Sequence, residues 1–94
     1  MKNKIIITLL IIASSQTSKA QIGIGTTSPN ASAKLDITST NKGFLPPRVT
    51  LTGTADVATI ASPATGLMVY NTATAGTSPS NVTPGIYYYD GSKW

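Results

Sequence analysis

Beyond residue 20 the chain carries twenty Ser or Thr against only fourteen Leu, Ile, Val or Phe. That dilution of large apolar side chains limits what it can fold into. A domain of this size buries only about 60% of the surface its unfolded chain exposes, and usually needs a staple. The chain has no cysteine, so neither a disulfide nor a thiolate metal site can serve. Charge is low, so self-repulsion does not hold the chain open. What remains is oligomerisation: an elongated chain that buries apolar surface against copies of itself.

Residues 1–20 are set apart because they read as an export signal. Lys2 and Lys4 give a basic start, Ile5 to Ala13 are apolar apart from Thr8, and Ser18-Lys19-Ala20 offers small residues for cleavage after Ala20. The apolar run is about half the ~20 residues a membrane-spanning helix needs, so no stable span is expected after cleavage. An uncleaved anchor or a short buried helix is the alternative. The expected organisation is therefore a signal peptide, 1–20, and a β-rich module, 21–94, placed in the periplasm, at the cell surface or outside the cell.

Removing the signal removes three of the seven cations. Lys34, Lys42, Arg48 and Lys93 then face Asp36, Asp56 and Asp90, a net charge of +1. Four scattered cations make neither a nucleic-acid footprint nor a polybasic membrane patch. The missing cysteine also removes the attachment point of a bacterial lipoprotein.

Along residues 21–94 the apolar residues alternate in short stretches. Ile22 and Ile24 share one face, Leu35 and Ile37 another, and Arg48 to Thr52 repeats the period of two. Pro46-Pro47 favours an extended path. Thr54 to Ser62 changes rhythm: Thr54 can cap a two-turn helix presenting Val57, Ile60 and Ala61, ended by Pro63. Gly66 to Asn71 is the strongest strand. Residues 72–84 read as a long flexible loop, and Gly85 to Tyr89 as the last strand. Asp90-Gly91 is a tight-hairpin dipeptide, followed by only Ser92-Lys93-Trp94 of a return arm. The expected fold is mainly β: short strands, long loops and one short helix. It is elongated, and incomplete without oligomerisation or a C-terminal continuation.

The inventory for chemistry is thin. There is no His, Cys or Glu, and the three aspartates lie 20 and 34 residues apart, each with a structural reading in a strand, a helix start or a turn. No enzyme is expected, and no catalytic, cofactor-binding or metal-binding residue. Gly23-Ile24-Gly25 lacks the third glycine of a dinucleotide fingerprint, and calcium would need more oxygens than Asp90 offers. Pro46-Pro47-Arg48 reads as a connector rather than a ligand for a proline-binding module. Asn30-Ala31-Ser32 and Asn81-Val82-Thr83 match the glycan-acceptor pattern, which arises by chance in such loops. The site-like feature is aromatic: Tyr87, Tyr88, Tyr89 and Trp94 suit either packing across an interface or core, or stacking on a surface glycan or receptor.

Several stretches together resemble a known family. Gln21-Ile-Gly-Ile-Gly-Thr-Thr-Ser-Pro-Asn30 leads through Ala33-Lys-Leu-Asp-Ile37 to Lys42-Gly-Phe-Leu-Pro-Pro-Arg-Val49. Ile60-Ala-Ser-Pro-Ala-Thr-Gly-Leu-Met-Val-Tyr-Asn-Thr72 and Tyr88-Tyr-Asp-Gly-Ser-Lys-Trp94 follow. Nearly all of residues 21–94 resembles the N-terminal region of secreted tail-fibre-like, adhesin-like surface proteins of Gram-negative bacteria. That resemblance implies a β-rich, homotrimeric fibrous protein, with longer members continuing past the Tyr-Asp-Gly-Ser-Lys-Trp segment; the chain is then expected to be a fragment. Only the resemblance suggests three chains.

The resulting expectation is a non-enzymatic structural module. Ile22, Ile24, Leu35, Ile37, Leu67, Val69, Ile86 and Tyr88 would bury apolar surface within and between chains. A glycan- or receptor-binding module built on Tyr87 to Trp94, and a truncated gene product without function, are the alternatives.

Overall fold

The computed structural model describes residues 21–94; the export signal read at 1–20 lies outside them. Five strands follow in order: β1 (Ile22–Ile24), β2 (Leu35–Ile37), β3 (Arg48–Val49), β4 (Met68–Asn71) and β5 (Gly85–Tyr88). Each falls where the sequence alternates or runs apolar. The chain divides into two compact units on either side of the Lys42–Gly43 bond.

The first unit is a parallel ladder of β1 and β2, with Ile22 opposite Leu35 and Ile24 opposite Ile37. Parallel strands need a crossover, and here it is a string of polar turns organised by Asn30. The Asn30 side-chain oxygen accepts from the Ser32 amide and hydroxyl, and its own amide donates to Asp36. Gly25 makes the exit from β1. It sits at φ 76°, and a Cβ there would collide with the Thr38 carbonyl.

The second unit is a three-stranded sheet in the order β3-β4-β5, parallel between β3 and β4 and antiparallel between β4 and β5. Its inner face carries the core: Leu51, Val69, Val82, Tyr89 and Trp94 are buried, flanked by Val49, Ile60, Leu67, Ala75 and Tyr87. Low apolar content is met by recruiting single residues from loops. Val82 comes from the stretch read as flexible, which is instead folded back by an Ala75–Val82 bridge with reciprocal backbone hydrogen bonds of 2.8 and 3.1 Å.

Two local expectations are corrected. No helix forms over Thr54–Ser62. The amides that would have opened it are taken by the Asp56 carboxylate, which accepts from Ala58 and Thr59 while also reaching back to Thr52. A carboxylate bonding its own neighbouring backbone competes with the helix ladder. Thr54 donates its amide to the Ser80 carbonyl, and Val57 is left exposed. Nor does Asp90-Gly91 open a return strand. Asp90 accepts the Ser92 and Lys93 amides on its side chain while its own amide donates to the Lys93 carbonyl, and this compact turn delivers Trp94 into the core.

The expected burial set also divides. Within one chain Val69 is buried and Leu67 half-buried, but Ile22, Ile24, Leu35, Ile37, Ile86 and Tyr88 are exposed. Tyr89 and Trp94 are buried in their place.

Candidate functional site

β5 sorts the aromatic run by the period of two. Tyr88 points outward opposite Met68 and is 62% exposed. Tyr87 is half-buried beside the core, and its hydroxyl accepts the Thr83 amide at 3.1 Å. Tyr89 packs edge-on against Trp94, ring centroids 5.3 Å apart. A shallow open cavity of about 250 Å³ is lined by Ile86, Tyr87, Tyr88, Asp90, Lys93 and Trp94. The structure thus gathers three of the four aromatic candidates around one hollow and places Tyr89 in the core instead.

Asp90 lines that hollow, and each carboxylate is taken up in holding backbone. Asp36 accepts the Asn30 amide, Asp56 holds the Thr52–Thr59 loop and Asp90 holds the terminal turn. Hydrogen bonds to the charged form lower a carboxyl pKa. The Thr59 hydroxyl and amide, with Thr52 and Ala58, hold Asp56 far below the usual range against the opposing effect of burial. The Lys93 and Ser92 amides lower Asp90 in the same way. Carboxylates kept ionised with their oxygens occupied are suited to fixing backbone, not to exchanging protons near neutrality. Among the described residues no group of His, Cys, Asp or Glu is arranged to hold a metal ion.

Asn71 is the polar residue that sequence reasoning missed. It is fully buried at the end of β4. Its oxygen accepts from the Leu51 and Ala73 amides at 3.0 and 3.1 Å, and its nitrogen donates to the Ala73 and Thr83 carbonyls at 2.8 and 2.9 Å. One side chain thus ties the stretch after β3, the end of β4 and the loop before β5. The sequence showed only a polar boundary to an apolar run; no local pattern marks an Asn as satisfied by three separate segments.

Two apolar faces remain in the open, one on each unit. In the first, Ile22, Ile24, Leu35 and Ile37 are 41–59% exposed. In the second, register aligns Arg48 with Tyr70 and Ile86, beside Met68 and Tyr88, on the outer face of the sheet. Exposed contiguous apolar surface marks an interaction site more reliably than scattered exposed residues do.

A family described as a phage tail like trimerisation region matches residues 23–94, three quarters of the sequence and all of the second unit. The chain belongs to that family. No curated protein and no solved structure gives a significant match. Membership fits the resemblance to the N-terminal region of tail-fibre-like proteins and identifies a structural, trimerising region. Among the described residues no helix is long and apolar enough to cross a membrane.

Proposed function

We propose that this trimerisation region is the exported, non-enzymatic base of a fibrous cell-surface or adhesin-like protein, and that its mechanism is self-assembly into a homotrimer. The observation that carries the reading is the pairing of a trimerisation-family match with large aliphatic side chains left in water on a single chain. At ~25 cal/mol per Å², covering a few hundred Å² per chain is decisive for a protein of marginal stability. Export rests on the sequence of residues 1–20, with cleavage after Ala20 and function in the periplasm, at the cell surface or outside the cell. Light scattering on the purified protein tests assembly: a mass of three chains is expected, and a monomer at micromolar concentration overturns it. N-terminal sequencing of the secreted product, expected to begin at Gln21, tests the export signal.

A second reading has its own observation. The hollow beside Tyr88 offers an exposed aromatic face next to Asp90 and Lys93, the combination that stacks on a sugar ring and bonds its hydroxyls. A glycan-array signal lost on Tyr88→Ala with folding retained would support surface-glycan or receptor contact. No signal on any glycan would overturn this second reading.

A further inference from the structure

The first unit has a feature that the second lacks: among its described residues, 21–42, none is buried. A two-stranded ladder with three residues per strand is marginally stable at best in water. It needs apolar burial on at least one face, and its two faces are differently occupied. The side of Gly23 and Asp36 is covered by the chain's own crossover. A Cβ at Gly23 would stand 2.7 Å from Pro29 Cγ and 2.8 Å from the Thr26 carbonyl, so the glycine is what lets the crossover lie so close. The opposite side is a square of four aliphatic side chains, Ile22 beside Leu35 and Ile24 beside Ile37, uncharged and facing solvent.

We propose that this square is the threefold contact of the assembly: three copies of β1 and β2 meet at an axis, each burying Ile22, Ile24, Leu35 and Ile37 against the other two. The inference rests on the trimer reading and adds to it the surface that does the work. Charge selects this face over the other candidate. On the second unit's sheet, Arg48 lies in register with Tyr70 and Ile86, so three copies meeting there would bring three guanidinium groups towards the axis. The β1–β2 square carries no charge to repel its own copies. Need selects it as well: the second unit already has a buried core of its own, and the first has none.

The test uses the full chain, taking advantage of its lack of cysteine and its single tryptophan. Light scattering is run on the wild type and on Ile24→Asp, with Trp94 emission as a reporter of the second unit. Single-cysteine variants Ile24→Cys and Tyr88→Cys are oxidised with copper phenanthroline and run on a non-reducing gel. The expected result is a wild-type trimer and an Ile24→Asp monomer with unchanged Trp94 emission. A two-chain band is expected from Ile24→Cys and not from Tyr88→Cys. A wild-type trimer that persists in Ile24→Asp, or that cross-links through Tyr88→Cys and not Ile24→Cys, overturns the face while leaving the trimer standing. Should Ile24→Asp unfold the chain, the milder cysteine pair decides. A wild-type monomer overturns the trimer reading itself, and this inference with it.

Discussion

The indole Nε1 of Trp94 donates a 2.7 Å hydrogen bond to the backbone carbonyl of Asp56, 38 residues earlier in the chain. The Trp94 amide donates to the Thr54 carbonyl at 2.9 Å, and its ring meets Tyr89 edge-on. One residue therefore joins the Thr54–Asp56 loop to the end of the last strand. In a core this poor in Leu, Ile and Val, an aromatic ring with a satisfied donor supplies area that the aliphatic residues do not.

Trp94→Ala should accordingly cost about 3–5 kcal/mol, the usual range for emptying a buried aromatic position. Trp94→Phe keeps most of the ring and strands only the Asp56 carbonyl, so a smaller loss of about 1–3 kcal/mol is expected. Urea unfolding followed by circular dichroism separates the two. Equal midpoints for wild type and Trp94→Ala would show that the ring is not a support of the core.

Acid should weaken the second unit through Asp56. Its folded pKa lies well below the unfolded value, so the unfolded chain binds more protons across the interval between them. Stability from this carboxylate is complete above about pH 4 and falls as pH drops towards the folded pKa. Asp56→Asn should be less stable at pH 7 and should flatten the acid limb of the melting-temperature profile. If the variant's profile kept the wild-type slope between pH 5 and 2, the dependence would belong to another group.

The strands were legible because β1, β2 and β4 rest on local patterns, alternation or an apolar run bounded by Gly and Asn, that need no knowledge of the rest of the chain. The Thr54–Ser62 helix was misread for the opposite reason. Val57, Ile60 and Ala61 have helical spacing, but Asp56 binds the amides of Ala58 and Thr59 and removes the ladder's first bonds. Val69 shows a subtler limit. Its burial was evident from its apolar neighbours, but only the fold places it in the chain's own core rather than between chains. The division of the aromatic run into exposed Tyr88 and buried Tyr89 follows the period of two that the sequence itself shows, whereas the burial of Trp94 follows from the turn at Asp90. Asn71 left no local trace, because its partners lie on three separate segments.

The β1–β2 ladder depends on Gly25. A side chain at φ 76° is strained, and its Cβ would meet the Thr38 carbonyl, which must shift to make room. Gly25→Ala is expected to cost more than about 1 kcal/mol. The loss should be confined to the first unit. Hydrogen exchange should quicken at Thr38, whose amide donates to the Ile24 carbonyl, while the Val82 and Tyr89 amides keep their protection. Uniform loss across both groups of amides would mean that the two units do not unfold separately.

Asn71 gives the sharpest test of the core, because removing its groups and recharging them have different consequences. Asn71→Leu fills similar volume but leaves the Leu51 and Ala73 amides without their acceptor, at about 1–3 kcal/mol for each donor left unpaired. Asn71→Asp keeps the acceptor but turns a buried anion towards the Ala73 and Thr83 carbonyls, which now receive no donor. Burial and those two dipoles raise the new carboxyl's pKa, while the Leu51 and Ala73 amides lower it. With the side chain fully buried, the raising effects are expected to win. Its folded value then exceeds the unfolded one, the folded state binds more protons, and stability rises as pH falls. Asn71→Asp should therefore be the weaker variant at pH 7 and regain melting temperature between pH 7 and pH 5, while Asn71→Leu stays flat over that interval. A rise in Asn71→Asp over an interval where the wild type is flat would establish that the amide acts through its donors as well as its acceptor. A flat Asn71→Asp profile would mean that the Leu51 and Ala73 amides offset burial and the two carbonyl dipoles.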